Sequence, residues 1–177
     1  NSSNALYAVD NKADVWVSAN NGTAWTVVNS DYDGSDSNSG TDDMVSDANN
    51  FLYILKKQDV YRSTNAGAGW TKINDDFNGG TDSNDGIEII NGNNSLLIID
   101  GSEDVYKSVD NGSSWLLTTV DFNGANGAVV GTAYFDGRIY AADVVSDVWN
   151  STDTSLAWRN VSTSCYTSEP AMSCANA

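Results

Sequence analysis

Short apolar runs separated by polar turns extend along the whole chain. The runs are rich in leucine, β-branched and aromatic residues, a composition typical of strands. No stretch keeps a helical period for three turns, so the pattern predicts an all-β protein. Four of the runs recur at similar distances: Leu6 to Val9, Phe51 to Leu55, Leu96 to Ile99 and Ile139 to Ala142.

The same two motifs follow each of these four runs. First comes a triplet of Asp, Val and an aromatic residue, starting at Asp14, Asp59, Asp104 and Asp147. Next comes a segment that begins with Ser and ends with Trp, at residues 18–25, 63–70, 108–115 and 151–158. The segments begin 45, 45 and 43 residues apart. A period near 45 with several short strands per copy is typical of β-propeller blades.

One repeat unit reads as three strands, a turn and a fourth strand. In the third copy the predicted strands are Ile87 to Asn91, Leu96 to Asp100, Val105 to Val109 and Trp115 to Val120. Four such units account for the whole chain. The sequence therefore predicts one domain over residues 1–177, a four-bladed β-propeller of four-stranded antiparallel blades.

The chain starts out of phase with this unit. Its first apolar run corresponds to a second strand, so the first blade lacks its first strand. Residues 171–177 resemble residues 43–49, which lead into a second strand. We expect this C-terminal strand to join the N-terminal blade and close the ring, which removes exposed strand edges. In a second arrangement, the tail completes the first blade of the next molecule and generates a fibre.

The segments that run from Ser to Trp follow the pattern Ser-x-Asp-x-Gly-x-x-Trp. The matching residues are Ser18, Asn20, Gly22, Trp25, Ser63, Asn65, Gly67, Trp70, Ser108, Asp110, Gly112, Trp115, Ser151, Asp153, Ser155 and Trp158, with Asn for Asp twice and Ser for Gly once. This pattern resembles the Asp-box, or bacterial neuraminidase repeat, of sialidases and sortilin-like receptors. In such a turn the Asp or Asn oxygen caps backbone N–H groups, Gly permits positive φ, and Trp packs between sheets. The resemblance therefore implies a propeller and says little about activity.

Composition favours an exported, extracellular or cell-surface protein. Six Asn-x-Ser/Thr sequons are candidate glycosylation sites, at Asn1, Asn21, Asn93, Asn111, Asn150 and Asn160. Cys165 and Cys174 lie close together in a chain without His, which predicts a disulfide rather than a metal site.

Charge and hydropathy exclude two classes of partner. Lys and Arg number 8 against 24 acidic residues, giving a formal net charge of −16. Nucleic acids and anionic membranes are bound through Lys and Arg, so neither is an expected partner. No run of about 18 apolar residues occurs, and we expect no membrane insertion.

The residues argue against an enzyme, although the resemblance points to sialidases. Sialidases use three arginines, a Tyr/Glu nucleophilic pair and an Asp acid/base, whereas this chain has only Arg62, Arg138 and Arg159. The absence of His excludes Ser–His and Cys–His catalysis. Glycoside hydrolysis by a carboxylate pair stays open, with Glu88 and Glu169 near predicted inner strands and Glu103 in a turn. We expect no catalytic residues.

The loops after the outermost strands are acidic and similar to one another. Their oxygen-bearing residues are Asp31, Asp33, Asp36, Asp76, Asn78, Asp121 and Asn123. Ca²⁺ takes six to eight oxygen ligands, and such loops can supply several of them. The other interpretation is a repeated turn in which Asp and Asn cap the backbone. Apart from this Ca²⁺ hypothesis, no cofactor is predicted.

Three functions follow from these observations. The first is a non-catalytic secreted or cell-surface glycoprotein, acting as a structural or adhesive module and binding copies of itself, as in a fibre, or extracellular proteins. The second is a lectin-like propeller that binds extracellular glycans at the channel mouth or in clefts between blades. The third is a small glycoside hydrolase.

Overall fold

The computed structural model describes residues 5–35, 40–80, 84–92, 95–124, 128–152 and 157–162. Every regular element in these ranges is a strand, and none of them contains a helix long and apolar enough to cross a membrane. The strands are β1 (Leu6–Val9), β2 (Val15–Ser18), β3 (Thr26–Asn29), β4 (Asp43–Ser46), β5 (Leu52–Lys56), β6 (Asp59–Ser63), β7 (Thr71–Asn74), β8 (Gly86–Gly92), β9 (Ser95–Asp100), β10 (Val105–Ser108), β11 (Leu116–Thr119), β12 (Val129–Phe135), β13 (Arg138–Asp143), β14 (Val148–Thr152) and β15 (Arg159–Asn160).

The strands form four antiparallel sheets, each made of strands that are consecutive in sequence. Blade 1 contains β1 to β3, blade 2 contains β4 to β7, blade 3 contains β8 to β11, and blade 4 contains β12 to β15. The predicted all-β architecture of four-stranded blades is therefore confirmed. In the described residues, blade 1 has three strands and lacks the first strand of the unit, as the phase of the repeat predicts.

An Asp at the end of the second strand fixes the next hairpin. In blade 4, Asp143 Oδ1 accepts hydrogen bonds from the N–H groups of Val145 and Asp147, at 3.0 and 2.9 Å. Its Oδ2 accepts one from the Trp149 indole at 3.1 Å. Asp10 makes the equivalent bonds in blade 1. This capping reverses the chain and places the third strand beside the second.

The hydrophobic core lies between the blades, in one cluster at each junction of neighbouring blades along the chain. At the central junction, Tyr53, Leu55 and Val60 of blade 2 face Ile98 and Tyr106 of blade 3. The first four of these side chains are fully buried, and complete burial of an aliphatic side chain stabilises the fold by about 1.5–3 kcal/mol. Alternate residues of each second strand thus serve the two neighbouring blades.

The first strands of blades 2, 3 and 4 lie side by side. The N–H of Ile89 on β8 donates to Asp43 on β4 at 2.9 Å. Thr132 on β12 donates to Glu88 Oε2 at 3.1 Å. Sheets that pack face to face and place their first strands next to one another form a β-propeller.

Each terminal blade has one face that is more exposed than its counterparts in the central blades. On blade 1, Leu6 is 46% exposed, whereas its counterpart Leu52 is 3% exposed. On blade 4, Tyr140 and Ala142 are half-buried, whereas the equivalent residues of blade 2 are fully buried. We call these surfaces the blade-1 face (Leu6, Ala8, Trp16 and Trp25) and the blade-4 face (Tyr140, Ala142 and Val148). The predicted closing strand at 171–177 lies outside the described residues, and ring closure stays a prediction.

Candidate functional site

The turns that run from Ser to Trp share one hydrogen-bond pattern in blades 1 to 3. In blade 3, Ser108 Oγ donates to Asp110 Oδ1 at 2.8 Å and accepts from Gly112 N at 2.9 Å. Asp110 Oδ1 also accepts from Ser114 N at 2.9 Å, and Trp115 Nε1 donates to Gly112 O at 3.1 Å. The same bonds are made by Ser18, Asn20, Gly22 and Trp25 in blade 1 and by Ser63, Asn65, Gly67 and Trp70 in blade 2. These side chains are occupied in holding the backbone, and Asn supplies the same oxygen as Asp.

The hydrogen bond from the Trp115 indole explains why β11 begins one residue later than the sequence predicts. Trp115 was predicted as the first residue of a strand, but β11 begins at Leu116. Because the indole of Trp115 donates back to Gly112 O, the tryptophan closes the turn instead of opening the strand.

The fourth turn is only partly described, because Asp153 and Ser155 lie outside the described residues. Ser151 is buried, and its Oγ donates to Thr152 O at 3.3 Å. Trp158 stacks on Phe122 of blade 3 with ring centroids 4.2 Å apart. Within the described ranges its Nε1 has no hydrogen-bond partner, and Ser155, the counterpart of the glycine that accepts from the other three indoles, lies outside these ranges.

The tryptophans of the turns pack on the preceding blade. Trp70 lies 5.7 Å from Tyr32, and Trp115 lies 6.4 Å from Phe77, measured between ring centroids. Trp25, on the blade-1 face, is instead 39% exposed. The indoles of Trp70, Trp115 and Trp158 therefore serve packing between blades, and among these four Trp25 has the surface most open to a partner.

The first acidic loop is held by its own side chains and by a lysine. Asp33 Oδ1 accepts from Ser35 N at 3.0 Å, and Asp31 Oδ1 accepts from the same N–H at 3.2 Å. Asp33 Oδ2 forms an ion pair with Lys56, in which both side chains are largely buried. Burial opposes ionisation, but the hydrogen bonds from Lys56 and Ser35 together outweigh it and lower the pKa of Asp33 to about 2. The Asp33 carboxylate is therefore already paired with a cation, the Lys56 ammonium group.

The other acidic loops follow the same turn. Asn78 Oδ1 accepts from Gly80 N at 3.2 Å, and Asp121 N donates to Asp104 Oδ1 at 2.8 Å. Asp76 accepts from Gly79 N through its backbone oxygen, Asn123 is buried, and Asp36 lies outside the described residues. No group of three or more His, Cys, Asp or Glu side chains in the described ranges could hold a metal ion. The geometry there supports the interpretation as a repeated turn.

Two acidic side chains meet where the first strands lie side by side. Asp43 on β4 and Glu88 on β8 lie close enough to share a hydrogen bond when one of the two carboxyls is protonated. Burial raises the pKa of both carboxyls, and the charge of Asp43 raises the pKa of Glu88 further. No sequence pattern indicates this pair, because its members lie in different blades.

The arginines are divided between two blades. Arg62, in blade 2, donates to Asn111 O at 3.2 Å and lies over the Phe51 ring at 6.0 Å. Arg138 and Arg159 are both exposed and lie in blade 4. Glu103 is buried in a hairpin of blade 3, and Glu169 lies outside the described residues.

A cavity of about 320 Å³ lies between blades 2 and 3. Its walls are the β4–β5 turn, the β8–β9 hairpin and the turn that follows β10. Asp47 is the one charged residue among the described residues that line it; the others include Asn49, Asn91, Ser95, Leu96, Val109 and Asn111. The sequence predicts glycan binding in clefts between blades but assigns none of these residues to it.

The described sequons occur in two settings. Asn21 and Asn111 occupy the same position of the turn in blades 1 and 3, exposed and each with φ 58°. Asn150 on β14 and Asn160 on β15 are half-buried. Asn1, Asn93, Cys165 and Cys174 lie outside the described residues.

Comparison with known proteins identifies the fold class. No protein-family model and no curated protein matches the chain. The structure of YCF48 bound to D1 peptide matches with a TM-score of 0.63 at 11% identity, over 90% of this chain and 50% of that chain. YCF48 from Cyanidioschyzon merolae gives 0.62 at 15%, over 87% and 51%. The GH74 enzyme from Niastella koreensis gives 0.59 at 22%, over 89% and 27%.

The chain thus spans about half the length of the YCF48 chains and about a quarter of the GH74 chain. It is similar to β-propeller proteins, and at these identities the similarity concerns the fold alone.

Proposed function

We propose that this chain is a non-catalytic structural or adhesive module of an extracellular assembly. In this proposal its turns are Asp-box turns, and the ring does not close within one subunit. Instead, as in the second arrangement above, copies join head to tail with the blade-4 face of one subunit on the blade-1 face of the next. The observation that carries the proposal is the incomplete burial of apolar side chains on the two end faces, where Leu6 and Trp25 are exposed and Tyr140, Ala142 and Val148 are half-buried.

The two end faces correspond to the two sides of a junction that the chain already makes internally. At the first junction, Val9 and Val15 of blade 1 pack against Ile54, Tyr61 and Trp70 of blade 2. On blade 4, Ala142 and Val148 occupy the positions of Val9 and Val15. On blade 1, Ala8, Trp16 and Trp25 occupy the positions of Ile54, Tyr61 and Trp70. A head-to-tail contact would therefore reuse a known packing pattern, and such contacts propagate unless the rotation closes.

The use of the side chains in the repeat supports a non-catalytic role. Ser108, Asp110 and their counterparts cap backbone groups, and Asp33 is paired with Lys56. The arginines that a sialidase would need for one substrate carboxylate are divided between blades 2 and 4. These observations favour a scaffold over a hydrolase.

Electron microscopy and light scattering of the full chain test the proposal. We expect filaments or concentration-dependent oligomers, and we expect Leu6→Lys to shift the distribution toward monomers because it places a charge on the blade-1 face. Leu116→Lys is the matched control, because Leu116 is 69% exposed on an outer strand of blade 3. Monomers at every concentration, or equal effects of the two substitutions, would overturn the head-to-tail contact.

A further inference from the structure

We propose that the cavity between blades 2 and 3 binds a neutral sugar or a similar polyol, through the Ser95 hydroxyl and the Asn49 and Asn111 amides. This site is separate from the end faces and does not depend on the head-to-tail contact. Its volume of about 320 Å³ is at the lower end of the roughly 300–1,000 Å³ typical of small-molecule sites.

The first observation is a buried hydroxyl that has no hydrogen-bond partner among the described residues. Ser95 lines the cavity and is 8% exposed, and its Oγ is buried without a hydrogen-bond partner in the described chain. Buried polar groups are nearly always hydrogen-bonded, and each exception requires an explanation. A ligand hydroxyl in the cavity would provide the missing partner once a rotation about the Ser95 Cα–Cβ bond turned the covered Oγ toward it.

The second observation is the chemistry of the lining. No Lys or Arg is among the described residues that line the cavity, which disfavours phosphates and carboxylates. The Asp47 carboxylate already accepts from Asn49 N and Phe51 N, each at 2.9 Å, and from the Tyr53 hydroxyl at 3.0 Å. Amide side chains both donate and accept, which suits the hydroxyl groups of a polyol.

The third observation is that the walls of the cavity are held in place. Asn91 Nδ2 donates to Ser46 O at 2.9 Å and ties the β8–β9 hairpin to blade 2. Arg62 donates to Asn111 O at 3.2 Å and ties the turn of blade 3 to blade 2. Leu96 and Val109 add apolar surface for the C–H face of a sugar ring. A preorganised site loses less entropy when its ligand binds.

The test is an NMR titration of the unglycosylated full chain with glycerol, glucose, galactose and mannose. We expect saturable shifts of the Gly92, Leu96 and Val109 amides with at least one probe. Asn111→Ala should weaken binding by about tenfold, the effect of losing one good hydrogen bond. The substitution is compatible with the backbone, because Ala66 occupies the equivalent position in blade 2 with φ 58°. Asn21→Ala is the matched control, because it makes the same change outside the cavity.

Ser95→Ala separates binding from folding. We expect it to weaken binding of the probe that shifts the wild-type amides while the melting temperature stays the same or rises, because the variant no longer buries an unpartnered hydroxyl. No saturable shift with any probe, or equal affinities of wild type, Asn111→Ala and Ser95→Ala, would overturn the proposal.

Discussion

Gly112 of blade 3 lies directly against Ile73 of blade 2. A Cβ atom built on Gly112 would come within 2.8 Å of Ile73 Cδ1, and the glycine has a φ of 81°. Two constraints therefore act on one residue: the turn requires a left-handed conformation, and the neighbouring blade leaves no room for a side chain. The turn that marks the repeat in the sequence is also part of the junction between blades.

Gly112→Ala should lower the free energy of unfolding by about 2–3 kcal/mol. Positive φ costs about 1 kcal/mol in a non-glycine residue, and overpacking against Ile73 adds about 1–2 kcal/mol. For a chain of this length the melting temperature should fall by roughly 5–10 °C. Thermal unfolding followed by circular dichroism measures the change.

A control and a second substitution separate the two causes. Gly79 has a φ of 69° and nothing within 4 Å of a built Cβ, so Gly79→Ala should show only the conformational cost. Ile73→Val removes the atom that Gly112→Ala would meet. The variant with both Gly112→Ala and Ile73→Val should therefore lose less stability than the sum of the losses in the two single variants. Strict additivity of these losses would contradict the packing explanation.

The Asp43–Glu88 pair predicts a fold that loses stability as the pH rises through the range where these carboxyls ionise. Burial raises both pKa values in the folded protein, so the folded state holds protons that the unfolded state has already released. The free energy of unfolding then falls with rising pH across that window. Glu88→Gln removes one ionisation and keeps a donor for Asp43, so above the window the variant should be more stable than the wild type.

Melting temperatures measured from about pH 4 to about pH 8 check this prediction. The range includes about pH 5–8, where the stability of most proteins is greatest. Asp110→Asn is a control of opposite sign. Hydrogen bonds from Ser114 lower the pKa of Asp110, so that carboxylate stabilises the fold above its ordinary pKa and the contribution is lost as the pH falls. The control should be less stable than the wild type by a constant amount above the acid range and should approach it as the pH falls. A Glu88→Gln profile parallel to the wild type would refute the role of the pair.

The sequence predicts the blades well because each blade is a local structure. Strand alternation, the period near 45 residues and the Ser-to-Trp turns all depend on residues close together in the chain, and the structure has them in the predicted order. The Asp10 and Asp143 hairpin caps were missed, although an Asp four residues before Asp14 and before Asp147 is a readable signal. In blade 2 the residue four before Asp59 is Leu55, which interrupts that pattern.

The candidate sites were predictable only in part, because they form between blades. Asp43 meets Glu88 across 45 residues of sequence, and Lys56 reaches Asp33 of another blade. The cavity near Ser95 depends on how two hairpins and one turn converge. These contacts depend on the distance and the angle between neighbouring sheets. The periodicity of the sequence determines neither quantity.

Removal of divalent cations should leave the melting temperature unchanged. In the described loops the carboxylate of Asp33 is bound by Lys56, and Asn78 and Asp121 take part in turn hydrogen bonds. Thermal unfolding in EDTA and in excess CaCl₂ makes the comparison. A melting temperature that rises with CaCl₂, at an ionic strength matched with NaCl, would support the calcium hypothesis for the acidic loops.

Lys56→Met should destabilise the fold by about 3–5 kcal/mol, because it leaves the Asp33 carboxylate buried without its cation. The lysine side chain is 10% exposed and that of Asp33 is fully buried. Replacing both partners, in Lys56→Met with Asp33→Asn, should recover much of the loss, since an apolar and a neutral side chain carry no uncompensated charge. Chemical denaturation of the two variants measures both values.

Lys12→Met, at an exposed lysine, is the matched control and should change stability by less than about 0.5 kcal/mol. If Lys56→Met behaves like this control, the ion pair does not hold the first acidic loop to blade 2.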